Sequence, residues 1–562
     1  MQYGYFDDEK REYVITDPKT PTKWINYVGT LAFGGFVDHT GGALICKGDP
    51  ALNRITKYIA QMPGSDFKGE TLYLRIKQPH GYKVFSPYFV PTLDPYDLYE
   101  CHVGLGYTRI VSEFYGIRTD VIIFVPQGES RVVRDIKITN VSGMPVEVDA
   151  IPVVEYTHPD ALKQLTNADW APQTVVSKVV NEPDGHKVLL QYPFMYRDTK
   201  VNYFTSNWPV SSFESDRKKF LGDNEYGTWA NPLSLFRHSE PRSGGVGYNA
   251  ESLPHVTETL RFAQGDTAAE LSNSEAWRGD NIAALMHHLG VLGPGETRRL
   301  VTQLGQEESA QQALPRIQYF RDEKNVERAF EELARFWDRY LGKLQVETPD
   351  AAMNRMLNVH NPRQCHTTKN WSRYLSLYQL GYGSSRGIGF RDSSQDVMGI
   401  LANMPEEGKA LIRQLLCVQR RNGSAYHQFN PLTLVASEGD SVEREDLPHY
   451  YSDDHLWIIL AVCAYLKETG DLAFLNETIP YYEKDKQEQP LESGTVLDHL
   501  RRAVEFTYGD VGAHGLPLLG FADWNDTVNL RVGAESLFTA NLYGKALLEM
   551  IDLARHLGDV AC

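Results

Sequence analysis

The apolar residues of this chain repeat with a period of two up to about Gly305 and with a helical period beyond it. Side chains on a strand alternate faces, whereas those on a helix return to one face every three or four residues. A chain that carries first one pattern and then the other cannot fill a single type of layer, and 562 residues exceed one ordinary core. The predicted architecture is a large antiparallel β-sandwich, then a helical linker, then a helical domain.

In the first part, Val132 to Thr139 and Val146 to Ala150 alternate around the turn residues Asn140 to Pro145, which predicts a hairpin. Asp120 to Val125 is a more continuous apolar run, and His287 to Val291 and Leu300 to Leu304 flank a second turn at Gly293 to Glu296. Many short strands with few helical stretches are the pattern of a sandwich. Gly104-x-Gly106 carries no dinucleotide signal, because no helical pattern follows it. After Gly305, Val326, Phe330, Leu333, Phe336, Trp337, Tyr340 and Leu341 fall at helical spacing within Asp322 to Leu344, an amphipathic linker helix. Thr348-Pro349-Asp350 then has the chemistry of a helix start. Helices are predicted at 351–361, 394–403, 406–420, 453–468, 494–508 and 535–556, with Leu456, Ile459, Leu460 and Cys463 on one apolar stripe. The predicted domains are 1–305, 306–347 and 348–562. These helices close no bundle of their own, so the last domain is expected to be the beginning of a larger helical barrel, truncated at Cys562.

A net charge of −17 disfavours nucleic acid and anionic membranes as partners. The longest apolar run, Leu456 to Leu466, falls short of the roughly 20 residues that cross a bilayer. The N-terminus is charged where a secretion signal needs an apolar stretch. Cys46, Cys101, Cys365, Cys417, Cys463 and Cys562 show neither CxxC nor metal-ligand spacing, and reduced thiols are expected. A cytoplasmic protein without a metal site is the expectation that follows.

Two segments concentrate polar chemistry. Phe521-Ala522-Asp523-Trp524-Asn525-Asp526 places two carboxylates, an indole and an amide together, a composition suited to a sugar. Breaking a glycosidic bond requires a proton on the leaving oxygen, and Asp526 beside aromatic side chains could supply it. The same residues also make a good turn, an Asx cap or an oxygen cluster for a cation. In the second segment, Ser385 to Asp396, Arg386, Arg391, Asp392 and Asp396 could clamp sugar hydroxyls or form a buried salt-bridge network capped by Asp392 or Ser393. His427, His455 and His514 lie in further polar loops, and none of them is singled out as a base.

Taken in order, several motifs resemble one family, the inverting disaccharide and oligosaccharide phosphorylases typified by cellobiose and chitobiose phosphorylase, glycoside hydrolase family 94. They are Tyr3 to Asp8, Arg11 to Thr16, Trp24 to Tyr27, His102 to Tyr107, Arg386 to Asp396, Gly423 to Gln428, Asp453-Asp454-x-Leu456-Trp457, His514 to Pro517, Ala522 to Asp526 and Asn529-Leu530. The resemblance implies a β-sandwich, a helical linker and an (α/α)6 barrel, and reversible phosphorolysis of β-linked gluco-oligosaccharides to α-glucose 1-phosphate with inversion. It puts the general acid on Asp526, substrate contacts on Arg386, Asp392 and Trp524, and support on Arg391, Asp523 and Gln428. Inorganic phosphate is then a co-substrate and no cofactor is implied; a homodimer is the family's habit. The alternatives are an inverting hydrolase, which needs a second carboxylate to activate water, and a non-catalytic carbohydrate-binding protein. The family's phosphate-binding residues are expected beyond Cys562, and 1–562 alone is expected to be inactive. Lys369 to Tyr374 and Asp160 to Gln173 look closer to the cellodextrin or cellobionic acid type.

Overall fold

The computed structural model of the chain describes residues 2–78, 81–160, 163, 166, 170–196, 200–222, 228–236, 270–371 and 387–559. The chain divides into two compact units, Met1–Trp337 and Asp338–Cys562.

The first unit is built on two large antiparallel sheets. The ten-stranded sheet runs in the order Gly4–Asp7, Glu12–Ile15, Leu98–Val103, Tyr107–Phe114, Ile117–Phe124, Arg131–Asn140, Thr297–Glu307, Val201–Ser206, Lys187–Tyr196, Val176–Asn181. The five-stranded sheet runs Ser212–Asp216, Asn281–Leu292, Val146–Glu155, Glu70–Gln78, Gly81–Phe85. Alternation decides which side chains meet between them: Val121, Ile123, Ile136 and Ile138 of one sheet join Leu72, Leu74, Ile76, Val148 and Ala150 of the other in one buried core. The opposite face of the smaller sheet is also apolar, and Tyr73, Ile151, Val153 and Met286 pack there beneath Phe220, Leu221 and Trp229.

The hairpin predicted across Asn140 to Pro145 does not form. Arg131–Asn140 pairs with Ile117–Phe124 and Thr297–Glu307, whereas Val146–Glu155 pairs with Glu70–Gln78 and Asn281–Leu292 in the other sheet. Each of these strands has an apolar face that a facing layer must cover, so the chain crosses the sandwich at this turn. The second turn, Gly293 to Glu296, crosses beside it, with Gly295 N donating to Asn140 O at 2.7 Å and Asn140 N to Glu296 O at 3.0 Å. The Asn140 amide satisfies Met144 O at 2.7 Å and Leu292 O at 2.8 Å, which locks the corner. Local alternation is the same for a hairpin and for a crossover, so the pattern could not separate them.

Two helices follow, α1 (Ala310–Tyr319) and α2 (Glu323–Leu341). Helix α1 buries Ala313 and Ile317 against Val188, Leu190 and Tyr203. In α2 the predicted stripe is buried at Val326, Leu333, Trp337, Tyr340 and Leu341, and the boundary between the units falls within this helix.

In the second unit, Asp350 caps the run that begins at Ala351 by accepting from Ala352 N at 2.8 Å and Met353 N at 3.2 Å. That run continues through Met356–His360 into α3 (Asn361–Trp371), ten residues past the predicted end at 361. Then come α4 (Phe390–Ile400), α5 (Pro405–Cys417), α6 (Asp454–Thr469), α7 (Val496–Gly509) and α8 (Leu537–Leu557). Helix α6 differs from its prediction: in place of one stripe it is enclosed on most sides, burying Leu456, Ile458, Ile459, Ala461, Val462, Cys463, Tyr465 and Leu466. Helices α4, α5, α7 and α8 all pack against it. A helix apolar nearly all round is a central one, and this fixed rod carries the site at its N-terminal end. Among the described residues no helix is long and apolar enough to cross a membrane, no disulfide forms, and no cluster of metal-ligating side chains exists.

Candidate functional site

The site gathers at the start of α6. Three residues earlier, Tyr451 bridges to Gly520 and Ala522, while Phe521 N donates to Tyr450 O at 2.8 Å and Ser452 N to Ala522 O at 3.0 Å. These bonds hang the stretch Phe521 to Asp526 on the segment entering α6. At its other end Ser536, the N-cap of α8, donates its hydroxyl to Asp523 Oδ2 at 2.7 Å. Asp523 Oδ1 also accepts from Asn525 N at 3.1 Å, and Asn525 Oδ1 accepts from Thr527 N and Oγ1 at 3.2 and 2.8 Å. The turn and cap alternatives therefore describe Asp523 and Asn525.

Asp526 is different. Its Oδ1 accepts from Arg391 Nη2 at 2.7 Å, and its side chain keeps 56% of its surface exposed. Beside it, Trp524 is 53% exposed and leans on Phe538, their rings 6.3 Å apart at 40°. An exposed indole next to a half-exposed carboxylate is a face on which a flat apolar surface such as a sugar ring can stack.

Arg391 sits in the first turn of α4, whose N-cap is Gly389 with no side-chain cap, so neither Asp392 nor Ser393 serves as one. Its guanidinium is buried and divided among four acceptors: Nε to Asp454 Oδ1 at 3.2 Å, Nη1 to Asp523 O at 2.9 Å, Nη1 near Asp453 Oδ2 at 3.5 Å, and Nη2 to Asp526. Its cationic carbon stands 5.6 Å from the Tyr451 ring centre. The salt-bridge network envisaged for this segment exists for Arg391, and its acidic partners come from α6 and the Asp526 loop. Asp392, the next residue, has its Oδ2 beside Gly389, where a Cβ would come within 2.4 Å of it. Gln428 pairs with Gly389 through a short strand, Gln428–Phe429 against Ile388–Gly389. Gly387 needs φ +78° there, and a Cβ on it would meet Phe429 O at 2.3 Å. Arg386 lies outside the described residues, as do Ser372 to Tyr374 and parts of the Asp160 to Gln173 stretch.

Three groups central to this network stood in motifs noted in the sequence but were given no role there. Asp453 and Asp454 are fully buried, and His427 nearly so, with its Nδ1 at 2.9 Å from Asp454 Oδ2. Burial pushes the Asp453 carboxyl up to about 7; Arg391 opposes this and Asp454 adds to it. Burial alone would lower His427, but the Asp454 carboxylate outweighs it and raises the imidazole above its ordinary value. His455, by contrast, is driven down to about 4 by burial and bonds Thr507 Oγ1 at 2.7 Å, a core histidine. His514 is exposed and reaches Glu535 Oε2 at 2.5 Å. The consecutive aspartates at a helix start, with Trp457 one turn on donating to Asp453 Oδ2 at 3.0 Å, were the available signal.

Asp453 makes stability depend on pH. Its proton is held in the fold up to about 7 but leaves an unfolded chain near 3.9, so its contribution is complete in acid and disappears as pH rises through about 7. Asparagine at this position keeps an acceptor for Trp457 and cannot ionise. Asp453→Asn is expected to flatten the loss of stability between pH 5 and 8, by up to about 1.4 kcal/mol per pH unit. Urea denaturation at both pH values checks it, and parallel profiles for the two proteins would refute the assignment.

The comparisons with known proteins place the chain in a class and then a family. Residues 336–561 match the catalytic domain of the glycosyl hydrolase 94 superfamily, and residues 11–269 and 256–323 match the glycosyl hydrolase 94 supersandwich domain. The chain belongs to this family. It is 29% identical over 581 residues to an N,N'-diacetylchitobiose phosphorylase of Vibrio furnissii, covering 100% of this chain and 66% of that protein. It is 28% identical over 578 residues to the protein of that name from Vibrio proteolyticus, covering 99% and 65%. To a solabiose phosphorylase of Paenibacillus borealis it is 27% identical over 563 residues, covering 98% and 63%. The chain thus spans just under two thirds of the length of these relatives.

Proposed function

We propose that the protein is an inverting glycoside phosphorylase in which Asp526 protonates the leaving oxygen of a β-linked saccharide while inorganic phosphate attacks the anomeric carbon. The observation that carries this reading is the setting of Asp526, a half-exposed carboxylate clasped on one oxygen by Arg391 beside an exposed Trp524. With phosphate as nucleophile no second carboxylate is needed to activate water. The carboxylates around Asp526 fit that economy: Asp453 and Asp454 are fully buried, and Asp523 is committed to Ser536 and Asn525. Trp524 supplies the stacking face of the donor sugar, with Arg386 and Asp392 as its polar contacts, and the (α/α)6 barrel is the frame proposed for the helical unit.

For the substrate we propose a β-linked gluco-oligosaccharide of the cellobiose, cellodextrin or cellobionic acid type. The second reading, N,N'-diacetylchitobiose, is favoured by the names of the two Vibrio relatives. Incubation of the full-length protein with each of these saccharides, with and without phosphate, is expected to yield an α-sugar 1-phosphate only when phosphate is present. Reducing sugar released equally fast without phosphate would show a hydrolase instead, and absence of any turnover with retained saccharide binding would show a carbohydrate-binding protein.

A further inference from the structure

Arg391 reaches Asp526 with one arm, so the position of the acid depends on what holds the rest of the guanidinium. Nη1 is spent on the Asp523 carbonyl, and Nε is held by Asp454 Oδ1 at 3.2 Å. Asp454 belongs to the first turn of α6, whose enclosure by α4, α5, α7 and α8 leaves it no room to shift. Its other oxygen, Oδ2, accepts from His427 Nδ1 at 2.9 Å. A carboxylate only accepts, so Nδ1 carries the proton.

The imidazole is itself fixed on one face and at its edge. That face lies flat on Tyr451, centroids 3.6 Å apart and planes 12° from parallel. Toward the ring edge stands Gly439 at φ +62°, where a Cβ would come within 2.6 Å of His427 Cδ2, so the backbone approaches as closely as glycine permits. The circuit then closes through the main chain: Phe390 N donates to His427 O at 2.9 Å, and Phe390 is the residue before Arg391. Backbone, imidazole, carboxylate and guanidinium thus form a ring in which each member fixes the next.

We propose that Asp454, oriented by the Nδ1–H of His427, is a positioning residue that aims Arg391 at Asp526 and so sets where the acid meets its substrate. Asp454 and His427 are both buried, with no more than 8% of either exposed, and act through Arg391. The inference rests on the reading of Asp526 as the acid. Displacing a reacting group by about 1 Å can cost about 100-fold in rate while binding is little affected.

In the full-length protein Asp454→Asn is expected to lower kcat about 100-fold with KM within about threefold. The His427 pair separates hydrogen bonding from packing, and it carries the test if Asp454→Asn fails to fold. Asparagine puts an amide N–H where Nδ1 stands and is expected to keep kcat within about fivefold, whereas phenylalanine keeps the stack on Tyr451, has no donor and is expected to lose about 50-fold. Equal kcat in the two His427 variants, or an Asp454→Asn enzyme with unchanged kcat, overturns the proposal. If the unmodified protein turns over no saccharide, the functional reading fails by itself, and the crystal structure of His427→Phe decides the positioning role. An opened Arg391–Asp526 contact supports it, and a contact retained at its 2.7 Å overturns it.

Discussion

Asp526→Asn in the full-length protein is expected to lower kcat for an unactivated β-linked saccharide by about 10³-fold, the scale at which general acids act. Asparagine preserves shape and still offers Arg391 Nη2 an acceptor, but it has no proton to give the leaving oxygen. Because the Asp526 side chain is 56% exposed, the change in stability is expected to stay within about 1 kcal/mol. The loss must also depend on the leaving group. A dinitrophenyl glycoside departs without protonation, so its cleavage is expected to fall by no more than about 10-fold. Synthesis from the sugar 1-phosphate must fall as the forward reaction does, since the same group then acts as base. Initial rates of sugar 1-phosphate release from both substrate types measure this, and full activity on the unactivated saccharide would move the acid to another residue.

The second large effect falls on stability. Arg391 is 4% exposed and faces both Asp453 and Asp454, each wholly buried. Removing one partner from a buried charge cluster leaves the others without compensation, at a cost of about 3–5 kcal/mol. Arg391→Met, which keeps the apolar stem and removes the guanidinium, is expected to destabilise by that amount and to abolish turnover as Asp526 loses its clasp. Arg391→Lys separates the two consequences. A single ammonium retains the charge but cannot serve two carboxylates, a third nearby and a carbonyl at once. Its stability loss is expected to be clearly smaller, and its loss of turnover comparable. Chemical denaturation with initial rates on the same preparations tests both, and a methionine variant within about 1 kcal/mol of the unmodified protein would contradict the charge argument.

Which parts of the molecule were legible in the sequence follows from the range of the forces involved. Helices α4 to α8 begin and end within about four residues of their predicted limits, because 3.6-residue periodicity and capping are local. The strands were legible as strands, but the partner of Arg131–Asn140 was not, since alternation does not say which layer the next strand joins. By composition Asp523 and Asp526 were equivalent carboxylates and only the family resemblance ranked them; in the fold Ser536 holds one and Arg391 the other, over separations of 13 and 135 residues. Asp454 and His427 lie 27 residues apart and meet only because a buried helix and a short strand begin at the same place.

By itself the sequence determined that strands come first and helices after, most of the helices and the loop that carries Asp526. Those features depend on period, turn chemistry and composition, each written in a few consecutive residues. The tertiary structure decided which aspartate is clasped and presented, which are buried behind it, and that the Arg391 guanidinium joins them. A guanidinium selects its partners by distance and burial, and neither exists until the chain has brought α4, α6 and the Asp526 loop together.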